Sequence, residues 1–121
     1  MAGEELPKEV QHSLMQLQLY QNQLQSLRLQ KQQLELQLTE IESAEKALSE
    51  EKGGDVYRAV GPLLLKSSRE TVETKLAESK QVIELRMKAL EKQESRVKER
   101  TRELAEKISP HFRDHTGALG G

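Results

Sequence analysis

Histidine and carboxylate side chains are the residues of this sequence with the most evident potential for chemistry. His111 and His115 are four residues apart, a spacing that can place two imidazoles on one metal ion. No third ligand lies near them, so we interpret the spacing as coincidence. The many Glu and Asp residues would need a shaped pocket to shift their pKa values for catalysis, and the sequence predicts none. We therefore expect no enzyme activity, no metal and no cofactor.

Composition restricts the classes of protein to which the chain can belong. It has 121 residues, of which 35% are hydrophobic, 32% are charged and only 2% are aromatic. One domain is expected at this length. Aromatic side chains supply much of the buried area of an ordinary core. A chain with so few of them and with much Leu, Glu and Lys can bury a helical seam, which favours a coiled coil.

The charge pattern and the absence of Cys exclude several kinds of partner. The formal net charge is −1 with the two signs interleaved, and there is no Cys. The sequence has no cluster of basic residues that could contact a phosphate backbone, and almost no aromatic side chain that could stack on bases. We therefore expect no nucleic acid partner. Disulfides and Cys-ligated metals are excluded. No stretch is apolar enough to span a membrane, so we expect no membrane partner and a cytoplasmic location.

Seven-residue spacing of apolar side chains predicts two long helices that form a coiled coil. The first helix is predicted over residues 7–52 and the second over 68–108. Pro110 is predicted to end the second helix, and residues 109–121 are predicted to form a flexible tail. The seam of the first helix follows two lines, Val10, Leu17, Leu24, Lys31, Leu38, Glu45 and Leu6, Ser13, Tyr20, Leu27, Leu34, Ile41, Leu48. That of the second follows Leu76, Ile83, Leu90, Val97, Leu104 and Lys80, Met87, Glu94, Thr101, Ile108.

A short β-hairpin is predicted between the helices, over residues 55–66. Gly61-Pro62 at its centre fits a type II′ turn, since Gly tolerates the positive φ of the first position and Pro suits the second. Ser67 with Glu70 predicts a capping box that starts the second helix. Because a hairpin reverses the chain, the helices should pair antiparallel. Residue numbers that add up to 121, such as Leu24 with Val97, satisfy every seam position, and a slip of one heptad is the alternative register.

The hairpin has two interpretations. It can be a stiff turn that caps the coiled coil, or its free edges can pair with hairpins of other subunits and close a barrel. Apolar residues on both alternation faces, Tyr57 and Leu64 on one and Val56 and Leu63 on the other, favour the second interpretation. The assembly residues are Val56, Tyr57, Val60, Gly61, Leu63, Leu64 and Leu65.

Apolar residues from both ends of the chain meet at the end of the helical pair that lies away from the hairpin. These tip residues are Leu6, Val10, Leu14, Met15, Leu19, Leu104, Ile108 and Phe112. Flexible Met and Leu surfaces can repack around different partners, so the tip residues are candidates for binding varied apolar segments. The alternative is an ordinary seam with a frayed end.

The sequence "VYRAVGPLLLKSS" between two heptad helices resembles the prefoldin family, and its single hairpin resembles the beta-type subunit. The segment "LEKQESRV" is similar to archaeal beta subunits, and the resemblance covers about Leu6 to Ile108. It implies a mostly α fold, with two long helices in an antiparallel coiled coil joined by one β-hairpin. The hairpins of several subunits would then form a β-barrel on oligomerisation.

The same resemblance implies a function. It predicts a hexameric co-chaperone of two alpha-type and four beta-type subunits, whose coiled-coil tips hold unfolded client proteins without ATP. Clients would pass to a group II chaperonin. The assembly residues above would fall in the barrel, and the tip residues in the client-binding region. The alternative is a structural coiled-coil scaffold that oligomerises through its hairpin and binds no client.

Overall fold

The chain forms two long helices with a two-stranded hairpin between them. The structure, a computed structural model, describes residues 6–120, with side chains described over residues 6–112. The elements follow the order α1 (Lys8–Glu50), β1 (Val56–Val60), β2 (Leu63–Ser67) and α2 (Arg69–Gly120). The predicted mostly α fold with a single hairpin is confirmed.

The ends of α1 are set by Pro7 and by a glycine pair. Pro7 lies just before the helix, and its carbonyl accepts the first helical hydrogen bond, from the Gln11 N–H at 3.0 Å. The helix ends at Glu50, two residues before the predicted end. Gly54 has a φ of 94°, which only Gly adopts without strain, so the chain can turn there into β1.

The hairpin turn has the predicted geometry. Val60 pairs with Leu63 across a two-residue loop of Gly61 and Pro62. Gly61 has a φ of 58°, and among the described residues only Gly has a positive φ, so Pro62 has the negative value that a type II′ turn requires. The twist of this turn matches that of the two strands.

The predicted start of α2 is wrong by one residue. Ser67 is the last residue of β2, and Ser68 caps the helix instead: its Oγ accepts a hydrogen bond from the Thr71 N–H at 3.1 Å. The third helical residue is therefore Thr71, whose hydroxyl lies 2.6 Å from the Ser68 hydroxyl, and not Glu70. Ser67 pairs with Val56 in the ladder, and this pairing keeps it in the strand.

The predicted end of α2 is also wrong. The helix does not end at Ile108 but continues through Pro110 to Gly120, so residues 109–120 are helical in place of the predicted flexible tail. Proline lacks an N–H and forfeits one helical hydrogen bond, but its φ near −65° is itself helical. A helix can therefore pass through it when the residues on both sides continue the pattern.

The chain divides into two compact units. The terminal unit comprises Met1–Leu29 with Leu90–Gly121, and the hairpin unit comprises Gln30–Ala89. In the terminal unit the first part of α1 packs against the later part of α2. Val10, Ser13, Leu27, Val97 and Ile108 are buried there, and all five lie on the predicted seam lines.

The hairpin unit buries its own part of the seam. Leu34 on α1 and Ile83 on α2 are buried, and Leu38, Met87 and the other predicted seam residues nearby are half-buried. The ion pairs between the helices agree with the predicted register. In the terminal unit Arg28 pairs with Glu94 and Lys107 with Glu9, and in the hairpin unit Lys80 pairs with Glu45 and Glu42. The residue numbers of these pairs add up to 122, 116, 125 and 122, which scatter around 121, whereas a one-heptad slip would centre them near 114 or 128.

Candidate functional site

The strand register fixes which side chains of the hairpin share a face. Val56 pairs with Ser67, Arg58 with Leu65 and Val60 with Leu63, so these six residues lie on one face. On the other face Tyr57 pairs with Lys66 and Ala59 with Leu64. Both faces therefore carry large apolar side chains, as the alternation in the sequence predicts.

Most of the hairpin's apolar side chains are exposed. Leu64 is 73% exposed, and Tyr57, Val60, Leu63 and Leu65 are exposed as well, whereas Val56 is half-buried. The sheet has two strands only, so each strand also has an edge whose backbone groups have no ladder partner in the described part of the chain. Apolar surface and free edges together are what a second β-element needs for pairing.

Arg69 holds the start of α2 against the end of α1. Its guanidinium donates hydrogen bonds to the carbonyl oxygens of Leu48 and Glu51. These carbonyls belong to the last turn of α1 and the residue after it, where α1 itself has no basic side chain. The contact fixes the base of the hairpin to α1, because Arg69 follows β2 after a single residue.

Sequence reasoning missed the role of Arg69. A basic residue at the first position of a helix is unfavourable for the dipole of that helix. The position of Arg69, together with the absence of a basic residue in the last turn of α1, could have indicated that Arg69 caps α1. Reading it requires knowing that the two helix ends lie side by side.

The structure separates the tip residues into buried and exposed groups. All eight belong to the terminal unit. Val10 and Ile108 are buried in the seam, and Leu6, Leu14, Leu104 and Phe112 are half-buried. Met15 and Leu19, one helical turn apart on α1, are 69% and 55% exposed. Of the predicted set, these two present the largest apolar fraction to solvent.

Other exposed apolar side chains lie outside both predicted sets. Leu29 and Leu36 are seven residues apart on the outer face of α1, and Val82 and Leu85 are three apart on α2. The heptad pattern places all four away from the seam. They are suitable controls for Met15 and Leu19, because their side chains have similar exposed fractions but do not belong to the tip residues.

A surface ion cluster on α2 shifts the pKa values of two of its members. Arg102 donates two hydrogen bonds to the carboxylate of Glu99 and a third to Glu106 at 2.7 Å. The hydrogen bond from Arg102 lowers the pKa of Glu99, and the two carboxylates raise the pKa of Arg102. Both side chains are exposed, and the cluster is typical of a solvated helix face rather than a catalytic site.

The described part of the chain contains neither a metal-binding cluster nor a membrane-spanning helix. No group of three or more His, Cys, Asp or Glu side chains could hold a metal ion there, and the side chain of His115 lies outside the described set. Within the same part of the chain, no helix has the length and apolar character needed to cross a membrane.

Comparison with known proteins now assigns the family. The model of the prefoldin subunit family matches residues 11–115, most of the chain. The chain belongs to the prefoldin family. It is 50% identical over 105 residues to prefoldin subunit beta of Methanocella arvoryzae, covering 86% of this chain and 83% of that protein. It is 42% identical over 111 residues to prefoldin subunit beta of Methanothrix thermoacetophila, covering 89% and 90%.

Solved structures agree with this assignment. The crystal structure of the prefoldin beta subunit from Thermococcus strain KS-1 matches with a TM-score of 0.79 and 37% identity, over 91% of this chain and 97% of that one. The predicted resemblance to a beta-type prefoldin is confirmed. The chain therefore has a prefoldin co-chaperone role and acts in complexes of prefoldin subunits. Prefoldins are a chaperone family and not a class of enzymes.

Proposed function

We propose that this chain is the beta-type subunit of a cytoplasmic hetero-hexamer of two alpha-type and four beta-type subunits. The hairpins assemble the complex through a β-barrel, and the tip residues hold unfolded client proteins without ATP. Clients then pass to a group II chaperonin. The chain has no catalytic role in this scheme. The observation that carries the proposal is the hairpin, whose large apolar side chains are exposed on both faces.

Exposure of the hairpin supports the assembly role. A two-stranded hairpin is at best marginally stable in water. This one leaves Leu63, Leu64 and Leu65 exposed in succession, so the side chains on both faces remain uncovered by the chain's own helices. Pairing with hairpins of other subunits would cover both faces and satisfy the backbone groups at the edges.

Exposure of Met15 and Leu19 supports the client-binding role. An unfolded protein exposes apolar segments, and each exposed tip can bury part of one. Met is flexible and adapts its shape to different neighbours. Several tips in one complex would bind the same client together by effective concentration, although each contact alone is weak. Weak single contacts also permit release without an energy source.

A matched pair of double variants tests the client-binding role. Met15→Gln with Leu19→Gln removes the exposed apolar surface of the tip. Leu29→Gln with Leu36→Gln removes side chains of similar exposure, 56% and 66%, from elsewhere on α1. Each variant is assembled with an alpha-type subunit, and suppression of aggregation of a chemically unfolded client is measured. We expect the tip variant to need roughly tenfold more complex for equal protection, and the control to match the parent.

The same measurement separates the competing explanations. Equal protection by the tip variant and the parent would contradict the role of Met15 and Leu19. A parent complex that assembles normally but protects no client would instead favour the structural scaffold. Native mass of each complex, measured first, ensures that the compared samples have the same subunit content.

A further inference from the structure

Arg96 and Arg100 form a pair of exposed cations beside a shallow groove of the terminal unit. They lie four residues apart on α2, so both point to the same side of that helix. The buried side chains of Leu27 and Val97 line the groove together with the two arginines. Gln23 and Ser26 of α1 and Gln93 of α2 add amide and hydroxyl groups.

Neither arginine has an anionic partner in the described part of the chain. Arg96 and Arg100 take part in no ion pair or hydrogen bond there, although like charges at this helical spacing repel each other. Arg102, two residues further, shows the contrast, since Glu99 and Glu106 both bind its guanidinium. Of the acidic side chains near the two arginines in the sequence, Glu94 pairs with Arg28 and Lys98, and Glu99 pairs with Arg102. The groove therefore keeps two cations without an ion pair.

We propose that this groove binds a carboxylate-rich segment of another polypeptide. A guanidinium is a planar fork whose N–H groups match the two oxygens of a carboxylate, and such charged hydrogen bonds are stronger than neutral ones. Two guanidiniums side by side can hold carboxylates of neighbouring acidic residues. The amides of Gln23 and Gln93 can donate to the backbone carbonyls of the same segment.

The surroundings of the groove favour an acidic peptide over a nucleic acid. Single-stranded nucleic acids are bound by a continuous basic track with aromatic side chains for stacking. This groove has two cations and no aromatic lining residue, and Glu99, Glu103 and Glu106 follow on the same helix. A long polyanion would meet these carboxylates, whereas a short acidic segment needs the two arginines only. The proposed site is independent of the apolar tip residues.

The test compares two arginine variants of the full-length chain. The probe is a short fluorescent peptide of alternating Glu and Ser, with a Gln and Ser peptide as its uncharged counterpart, and binding is followed by fluorescence anisotropy. Arg96→Gln with Arg100→Gln removes the proposed site. Arg102→Gln is the matched control, since it removes an arginine that already has partners on the same helix. Circular dichroism checks that all variants keep the helical content of the parent.

We expect the parent to bind the Glu peptide and not the Gln peptide. The Arg96 and Arg100 double variant should weaken binding about tenfold, and Arg102→Gln should change it by less than about twofold. No binding by the parent, or equal weakening by both variants, would overturn the proposal. Oligothymidylate is added as a competitor of the labelled Glu peptide. If it displaces that peptide at a lower concentration of negative charges than the unlabelled Glu peptide requires, the groove is a nucleic acid site and the proposal is overturned as well.

Discussion

Arg69 shows how one side chain connects the hairpin to the helices. The last turn of α1 presents carbonyl groups without helical partners, which a cation at the C-terminus satisfies and stabilises. A basic residue in the last turn of a helix can supply that cation, but α1 has none there. Arg69, the first residue of α2, supplies it from the other side of the hairpin by donating to Leu48 and Glu51.

Arg69→Met should therefore destabilise the isolated chain. The substitution keeps most of the aliphatic volume but leaves two carbonyls without their charged donor, for which we expect a loss of about 1–2 kcal/mol. Arg69→Lys should recover only part of it, because an ammonium group cannot span two carbonyls as a guanidinium does. Urea unfolding followed by circular dichroism measures the change. Arg86→Met, on the exposed face of α2, should cost less than about 0.5 kcal/mol, and an equal loss in both variants would contradict the capping role.

The helices of the hairpin unit pair a polar seam position of α1 with a cation of α2. Glu45 and Lys80 both lie on predicted seam lines, and the Lys80 Nζ is 3.4 Å from the Glu45 Oε1 and 3.8 Å from the Glu42 Oε2. Each of the Glu45 and Lys80 side chains is about one-third exposed. A polar pair within an otherwise apolar seam specifies register more than it stabilises, since both charges lose hydration there.

A double-mutant cycle on Glu45 and Lys80 tests this interpretation. Lys80→Leu alone leaves the charge of Glu45 without its partner. We therefore expect this single variant to be less stable than the burial of a Leu side chain at position 80 alone would predict. The two Leu substitutions together should give a chain more stable than the parent, with a coupling energy of about 0.5–1 kcal/mol. Urea unfolding measures all four proteins. The exposed pair of Lys66 and Asp55, 3.5 Å apart, serves as the comparison. A coupling energy between Glu45 and Lys80 no larger than that between Lys66 and Asp55 would contradict a role of the seam pair in setting the register.

The helical seam was predictable because it is a periodic property of the chain itself. Burial of Val10, Leu27, Ile83 and Val97 follows directly from seven-residue spacing. The type II′ turn was predictable for a similar reason, since Gly61 and Pro62 each restrict φ in a way that fits one turn. Such local preferences do not depend on contacts with distant parts of the chain.

The remaining features depend on contacts between residues that are far apart in the sequence. Ser67 and Ser68 are equally good caps, and the ladder pairing of Ser67 with Val56 decides between them. Pro110 is a common helix stop, yet α2 passes through it. The capping by Arg69 and the groove beside Arg96 arise only when the two helices lie side by side.

For the molecule as a whole, exposed apolar surface is concentrated in the hairpin. Tyr57, Val60, Leu63, Leu64 and Leu65 are all exposed within a stretch of nine residues. On the described parts of the helices, the large exposed apolar side chains occur in separate pairs, such as Met15 with Leu19 and Val82 with Leu85. An isolated chain with this surface is expected to associate with other chains, and in a prefoldin subunit the partners are other prefoldin subunits.

Leu64→Lys should therefore block assembly while leaving the helices folded. Leu64 lies opposite Ala59 on one hairpin face, and a charge there would have to be buried without a partner when hairpins pack together. Leu36→Lys is the matched control, since Leu36 is 66% exposed against 73% for Leu64 but lies on α1. Sedimentation of each variant mixed with an alpha-type subunit should give free chains for Leu64→Lys and full complexes for Leu36→Lys. Circular dichroism should show the same helical content in both. A full complex formed by Leu64→Lys would mean that this face of the hairpin stays in solvent after assembly, and the barrel would then have to be built from the opposite face.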